Sequence, residues 1–252
     1  MTNGPSSSAK GARWLLSDSW IRHPLDGPLP LFLLLLALVS GIADALSFLE
    51  LGRVFVANMT GNVVIMGLGF LHVKGVSLLN AVSILVAFGG GAAIEGAVAR
   101  RSSANRPQLL TRICLVELAL IGCAALLAAD GSPLRHPAHS LGIAVLLAFA
   151  MGFQSGVQIR LNVADISTTY LTALFTNFAT QLGKVPWDTS FRRVISVISR
   201  AAGAVMGATL ILYASYLWAF GTMLFLIALT IGGCSFGAGK SAPWKVFRTA
   251  PT

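Results

Sequence analysis

The chain has 252 residues, of which 55% are hydrophobic and 11% are charged, and its mean hydropathy is +0.77. This composition excludes a soluble domain, because apolar runs of about 20 residues recur and one such helix crosses about 30 Å of hydrocarbon. The formal net charge of +9 does not indicate nucleic-acid binding, since Lys and Arg cluster at the ends of apolar runs and form no basic face interleaved with aromatic residues.

Polar tails flank the apolar part of the chain. Residues 1–29 are rich in Ser and Pro and lack the apolar core of a secretory signal peptide. We expect a disordered cytoplasmic tail there; the alternative is a short amphipathic turn on the membrane surface around Trp14 and Trp20. Residues 238–252 are expected to form a second cytoplasmic tail.

Residues 30–237 are predicted to form one membrane bundle, an all-α polytopic protein with six transmembrane helices and two broken or re-entrant segments. The six strong apolar runs are residues 30–49, 77–99, 109–129, 140–159, 194–215 and 217–236. The ambiguous segments are residues 54–71 and 166–183. In the first, only Val63 to Leu71 is uninterrupted, about 13 Å of helix, which is too short to cross. The second carries eight Ser, Thr, Asn and Gln side chains, too polar for a lipid-facing helix.

The arrangement of motifs repeats along the chain. Gly41 precedes Thr60 by 19 residues, and Gly152 precedes Thr172 by 20, each pair being followed by two apolar runs. This predicts one repeat at about residues 31–130 and a second at about 140–237. If the ambiguous segments do not cross the membrane, each repeat has three crossings and the two repeats have opposite orientations. If they cross, each repeat has four crossings and the two repeats have the same orientation.

Counting basic residues chooses between these topologies. With a cytoplasmic N-terminus and six crossings, only Arg53, Lys74 and Arg135 lie outside, which leaves 15 of the 18 Lys and Arg inside. If both ambiguous segments cross, six basic residues lie outside and 12 of 18 stay inside. The positive-inside rule favours six crossings, inverted repeats and cytoplasmic termini. Inverted repeats with unwound segments are typical of secondary transporters.

Asp44 is the first candidate site residue. It lies about fourteen residues into the first apolar run, on one helical stripe with Ser40 and Ser47. An ionised carboxylate at mid-membrane costs about 2.5–3.5 kcal/mol on insertion scales, so it should be protonated, paired or facing water. One interpretation is a proton or cation coupling site. The other is a structural carboxylate that accepts hydrogen bonds from N–H groups of the broken segment.

The polar break at Asn58, Thr60, Gly61 and Asn62 is the second candidate. Gly61 permits left-handed backbone geometry, and Asn and Thr side chains can satisfy the amides that an interrupted helix releases. These residues are interpreted either as substrate contacts or as a cap for a short helix beginning at Val63.

Polar residues of the second repeat complete the predicted site. Gln154 and Gln158 lie one turn apart, which indicates either cavity lining or interhelical hydrogen bonding. Thr172 is the second repeat's counterpart of Thr60. Two further acids, Glu95 and Glu117, each stand five residues from an arginine, which favours snorkelling or paired positions near the membrane surface.

Small residues and the absence of catalytic motifs narrow the function. Gly89-Gly90-Gly91 with Gly96, and Gly203 with Gly207, favour close helix packing. The four His residues lie in tails or loops, the three Cys lack metal spacing, and no metalloprotease, nucleotide or hydrolase motif is present, so we expect no enzyme, metal or cofactor.

Four strings resemble the bacterial YoaK family of six-span membrane proteins over roughly residues 31–236. They are GIADA at 41–45, VFVANMTGN at 54–62, MGFQS at 151–155 and TTYLT at 168–172. The resemblance implies the six-span fold and transport of a small metabolite.

The residues and the resemblance together predict a secondary transporter of a small polar metabolite in the bacterial inner membrane, coupled to protons or a cation through Asp44. The alternatives are a non-transporting interaction or sensory protein, a passive channel, and an intramembrane enzyme using carboxylates. Membrane lipid and a small solute are the expected partners, and a homo-oligomer is compatible with the sequence.

Overall fold

A computed structural model describes residues 26–101, 105–129, 136–161 and 187–236 of the chain. Within these ranges the regular secondary structure consists of α-helices. In chain order the helices are α1 (Leu29–Glu50), α2 (Met59–Phe70), α3 (Leu78–Arg100), α4 (Arg106–Ala128), α5 (Pro137–Leu161), α6 (Trp187–Tyr213) and α7 (Tyr216–Phe236).

Six of these helices are long and apolar enough to cross a membrane, and α2 is not. At 1.5 Å per residue the 12 residues of α2 span about 18 Å, well short of the hydrocarbon thickness. The prediction of an all-α bundle with six spanning helices and a shorter segment after the first is confirmed. The second predicted break, residues 166–183, lies outside the described residues.

The core of the bundle lies between α1 and α5. Within the most apolar window of each helix, 78% of the residues are buried in α1 and 61% in α5, against 28% in α3 and 17% in α6. Helix α1 contacts α6 and α7, α5 contacts α3 and α4, and α1 and α5 contact each other. The outer helices therefore present much apolar surface to lipid, as their exposed Leu and Val side chains show.

Helices α1 and α6 pack with their backbones almost touching. A Cβ added to Gly41 would lie 2.1 Å from the carbonyl oxygen of Arg200, and one added to Gly203 would lie 2.2 Å from that of Leu38. Because real Cβ atoms never approach so closely, both positions require glycine at this separation. Further along, Gly207 meets Ala45, so the two helices run in the same direction.

Helices α3 and α5 pack in the same way. A Cβ on Gly152 would lie 2.0 Å from the carbonyl oxygen of Phe88, and one on Gly91 would lie 2.2 Å from that of Phe149. The prediction of close packing by small residues holds for Gly91, while added Cβ atoms on the adjacent Gly89 and Gly90 would have no described neighbour within 4 Å. Only one glycine of the triplet is needed for this crossing.

The end of the bundle at which α1 begins, here called the N-terminal end, is closed by a buried arginine. Arg106 at the start of α4 donates to Asp26 at 3.3 Å and to the carbonyl oxygen of Leu161 at the end of α5, 2.8 Å away. Nearby, Arg160 donates to the carbonyl oxygen of Ala99 near the end of α3 at 2.8 Å. The ends of α3 and α5 and the starts of α1 and α4 therefore meet here. Because α6 runs parallel to α1, it also begins at this end.

The chain between α1 and α3, here called the re-entrant segment, enters the bundle from the opposite end, here called the far end. It turns at Gly52, which has a φ of +93° that favours glycine. The Ala57 N–H then reaches the carboxylate of Asp44, six residues before the end of α1 and so about 9 Å inside it. Helix α2 returns to the far end, where Gly69 lies against the backbone of Leu78 at the start of α3.

Candidate functional site

The carboxylate of Asp44 joins three parts of the bundle. One oxygen, Oδ2, lies 2.7 Å from Nη2 of Arg200 on α6, and the other, Oδ1, accepts the Ala57 N–H at 2.8 Å. The side chains of Asp44 and Arg200 are only 10% and 11% exposed. A buried ion pair therefore connects α1, α6 and the re-entrant segment.

Close packing by glycine places this pair. Gly41 lies three residues before Asp44, and its missing Cβ lets α6 approach α1 at Arg200. Because the two helices lie so close together, the Arg200 guanidinium reaches the carboxylate of Asp44, which is less than one turn from Gly41 along α1. The ion pair thus depends on the helix crossing as well as on its own charges.

The structural interpretation of Asp44 describes the observed hydrogen bond, because the carboxylate does accept an N–H of the broken segment. The cationic partner, Arg200, is not among the site residues predicted from the sequence. Arg200 lies only six residues into the run 194–215, and it was counted there as a cytoplasmic charge. An arginine at that depth in an apolar run was the signal available for a buried partner.

The break residues have different roles from one another. Asn62 is fully buried and forms a reciprocal pair with Phe55: its Oδ1 accepts the Phe55 N–H at 2.9 Å, and its Nδ2 donates to the Phe55 carbonyl oxygen. Asn58 precedes α2 but makes no side-chain cap bond, and instead accepts the Thr60 hydroxyl at 2.8 Å. Asn62 therefore holds Phe55 against α2, while Asn58 and Thr60 lie nearer the surface.

The start predicted for the short helix is wrong. Helix α2 begins at Met59 rather than at Val63, because the side chain of Asn62 bonds across to Phe55 and leaves its own backbone helical. Gly61 is not left-handed. It is small for another reason, since a Cβ there would lie 2.8 Å from the ring of Phe55.

Gln154 connects the two central helices. Its Nε2 donates at 3.0 Å to Ser40 Oγ, one turn before Asp44 on α1, and at 3.3 Å to the carbonyl oxygen of Leu36, one turn further from Asp44. Its Oε1 is buried without a hydrogen-bond partner among the described residues. Gln158, one turn further along α5, is 8% exposed. The observed role of Gln154 is interhelical bonding, and cavity lining by these two residues stays a prediction.

Glu117 does not take the surface position that was expected from Arg112. It is 0% exposed, and neither carboxylate oxygen has a hydrogen-bond partner in the described part of the chain. The reason is helical geometry: five residues correspond to about 140° of rotation, so the two side chains leave different faces of α4. Glu95 is also buried, at 3% exposure, with Oε2 filling the space that Gly156 leaves on α5.

Thr172 lies outside the described residues, so its predicted approach to Thr60 stays a prediction. Within residues 26–101, 105–129, 136–161 and 187–236, no group of three His, Cys, Asp or Glu side chains is arranged to hold a metal ion. Two polar groups therefore lie about one turn apart on α1: the Asp44–Arg200 pair and the Gln154–Ser40 hydrogen bond.

The comparisons with known proteins concern the whole bundle. A family model described as "Protein of unknown function (DUF1275)" matches residues 32–232. The "UPF0700 transmembrane protein YoaK" of Bacillus subtilis (strain 168) is 33% identical over 139 residues, which are 55% of this chain and 60% of that relative. The chain thus covers less than two thirds of the relative's length. No solved structure matches. Because the family match runs from α1 to α7, the resemblance to YoaK is confirmed and the chain belongs to this family of unknown function.

Proposed function

We propose that the protein is a secondary transporter of a small polar metabolite, coupled to a proton through Asp44. The observation that carries this proposal is the buried Asp44–Arg200 pair, which is held by a helix crossing and by the re-entrant segment. Charges inside a membrane bundle are costly and mark substrate or ion pathways. A re-entrant segment that ends beside such a charge is the arrangement by which many carriers build a midplane site.

The pairing of helices supports an inverted repeat. Gly41 of the α1–α6 crossing and Gly152 of the α3–α5 crossing are 111 residues apart, and their partners Gly91 and Gly203 are 112 apart. Under this offset the carbonyl contacts also correspond, since each glycine faces the backbone of its partner helix about three residues before the partner glycine. The first helix of each repeat therefore packs against the second spanning helix of the other.

Charge supports a cytoplasmic N-terminal end in a bacterial inner membrane. Arg100, Arg101, Arg106 and Arg160 lie at or near the N-terminal end of the bundle among the described residues, and the far end has Arg53 and Lys74 between α1 and α3. The positive-inside rule assigns the more basic end to the cytoplasm. The re-entrant segment then opens towards the outside.

A proton suits this site better than a metal cation. The Arg200 guanidinium already occupies the carboxylate at 2.7 Å, so a metal cation would have to displace it. A proton needs no coordination shell: it adds to one carboxylate oxygen, removes the negative charge and releases the guanidinium from this carboxylate. Once released from this carboxylate, the guanidinium can also donate to an anionic or polar group of the solute. Binding of proton and solute would therefore separate α6 and the re-entrant segment from α1.

The test is solute-dependent proton movement in liposomes. A thermal-stabilisation screen over metabolite classes first selects a ligand, because binding to the native state raises its melting temperature. Purified protein is then reconstituted with a trapped pH-sensitive dye, and the ligand is added outside. The proposal predicts a ligand-dependent pH change inside the liposomes. Ligand binding without movement of ligand or protons supports a sensory protein, and turnover of the ligand without movement supports an enzyme.

A further inference from the structure

Four carboxylates are buried in the described part of the bundle, and they fall into two groups. Asp26 and Asp44 lie beside guanidinium groups, at 3.3 Å and 2.7 Å. Glu95 and Glu117 each have an oxygen without a hydrogen-bond partner. Glu117 is the more extreme of these two, because its exposure is 0% and both of its oxygens lack a partner.

Glu117 lies at the centre of its helix. It is 11 residues from Arg106 at one end of α4 and 11 from Ala128 at the other, about 16 Å of helix on either side. Ile113 and Ile121, one turn before and after it, are 4% and 0% exposed. The carboxyl group is therefore placed in the apolar interior, at the depth where a charge is most costly.

No described cation lies where it could neutralise this group. Helix α4 packs against α5 and α7, and α7 contains no Asp, Glu, Lys or Arg. On α5 the titratable side chains, His139 and Arg160 among them, lie near the two ends. The titratable groups that share this region with Glu117 are Cys114 on α4 and Cys234 on α7, and thiols are uncharged at neutral pH.

We propose that Glu117 is a proton-binding site, separate from the Asp44–Arg200 pair, and that it is a neutral carboxylic acid in this conformation. An ionised carboxylate with neither donor nor cation in hydrocarbon is far less favourable than the protonated acid. Release of this proton requires water to reach the carboxyl group, which lies on a helix packed against α5 and α7 in this conformation. In the carrier proposed above, Glu117 supplies a second exchangeable proton per cycle, and only that role rests on the proposed function.

Infrared spectroscopy of the full-length protein in lipid tests the protonation directly. At neutral pH, exposed Asp and Glu side chains are ionised, so a carboxylic acid C=O band reports a buried neutral acid. The wild-type protein should show this band, and Glu117→Gln, which keeps size and hydrogen-bonding capacity, should lose one acid's share of it. The matched control is Glu50→Gln at the far end of α1, which should leave the band unchanged.

A second variant keeps the test decisive if Glu117→Gln fails to fold. Glu117→Asp retains an acid on a shorter side chain, and should shift the band rather than remove it. A wild-type spectrum with no acid band at neutral pH, or a band that both Glu117 variants leave unchanged, overturns the proposal. Failure of ligand-dependent proton movement in liposomes would overturn the transport function while leaving the Glu117 band in place, so the two failures are distinguishable.

Discussion

The two glycine crossings of the bundle have nearly the same backbone contacts and different chemistry. In the α1–α6 crossing, the residue whose carbonyl oxygen faces Gly41 is Arg200; in the α3–α5 crossing, the residue that faces Gly152 is Phe88. Asp44 of the first crossing pairs with its arginine, while Glu95 of the second fills the space left by Gly156. The two crossings thus share their backbone arrangement. The ion pair and its link to the re-entrant segment belong to the α1–α6 crossing.

Removing one member of the ion pair should have the largest effect on stability. Asp44→Leu removes the carboxylate from beside the buried Arg200 guanidinium, and loss of one member of a buried pair costs about 3–5 kcal/mol. We expect a large drop in melting temperature in detergent. Asp44→Asn should also lose stability, because the charge on α6 stays buried in this variant as well.

The double variant Asp44→Asn with Arg200→Gln is the control for that loss. It removes both charges and leaves an amide at position 44 to accept the Ala57 N–H. Replacing both members of a buried pair by well-packed apolar residues is often close to neutral, and two amides likewise leave no unpaired charge while keeping the capacity to hydrogen-bond to each other. A double variant as unstable as Asp44→Leu would show that the α1–α6 crossing needs the charges themselves.

Crowding a crossing should have the next largest effect. Gly91→Ala places a Cβ against the Phe149 carbonyl oxygen, and overpacking of this kind costs about 1–3 kcal/mol. Gly90→Ala is the matched control one residue away, where no described atom lies within 4 Å and alanine improves helix propensity. Equal melting temperatures for the two variants would contradict the packing assigned to α3 and α5.

Breaking the hydrogen bonds between Asn62 and Phe55 should cause a smaller loss of stability. Asn62→Ala leaves the partly buried N–H and C=O groups of Phe55 without this partner, which costs on the order of 1 kcal/mol. Asn58→Ala removes only a partly exposed bond to Thr60 and should change the melting temperature by less. If Asn58→Ala proves the more damaging variant, the roles of these two asparagines are reversed.

The last prediction concerns topology rather than stability. It decides which end of each helix crossing faces the cytoplasm. In a cysteine-free background, Ser102→Cys is expected to react with an impermeant maleimide only from the cytoplasm, as the positive-inside rule predicts for the α3–α4 connection. Asn80→Cys near the far end is the matched position for labelling from outside. Labelling of Ser102→Cys from outside alone would invert the bundle.

The sequence was sufficient for the bundle and for part of the site. Apolar run lengths identify six spanning helices, and the polar break predicts a short helix after the first, because both depend on local composition. Arg200 was missed because its pairing with Asp44 spans 156 residues and depends on how α1 and α6 cross. Glu117 was misplaced because a neighbouring arginine in sequence lies on another face of the helix. The role of Gly61 was misjudged because the nearby Phe55 ring is a contact that spacing alone does not reveal.

The most direct test of the central claim compares two buried ion pairs of the same kind. Proton-driven uptake of the ligand identified by thermal stabilisation is measured in liposomes for Asp44→Asn with Arg200→Gln, and for Asp26→Asn with Arg106→Gln at the N-terminal end. Both proteins are first shown to be folded in detergent. We predict that the Asp44→Asn, Arg200→Gln variant folds and reconstitutes into liposomes but no longer takes up ligand in response to a pH gradient. The Asp26→Asn, Arg106→Gln variant should retain gradient-driven uptake. Unchanged gradient dependence in the Asp44 variant would contradict the account, because the pair would then be structural.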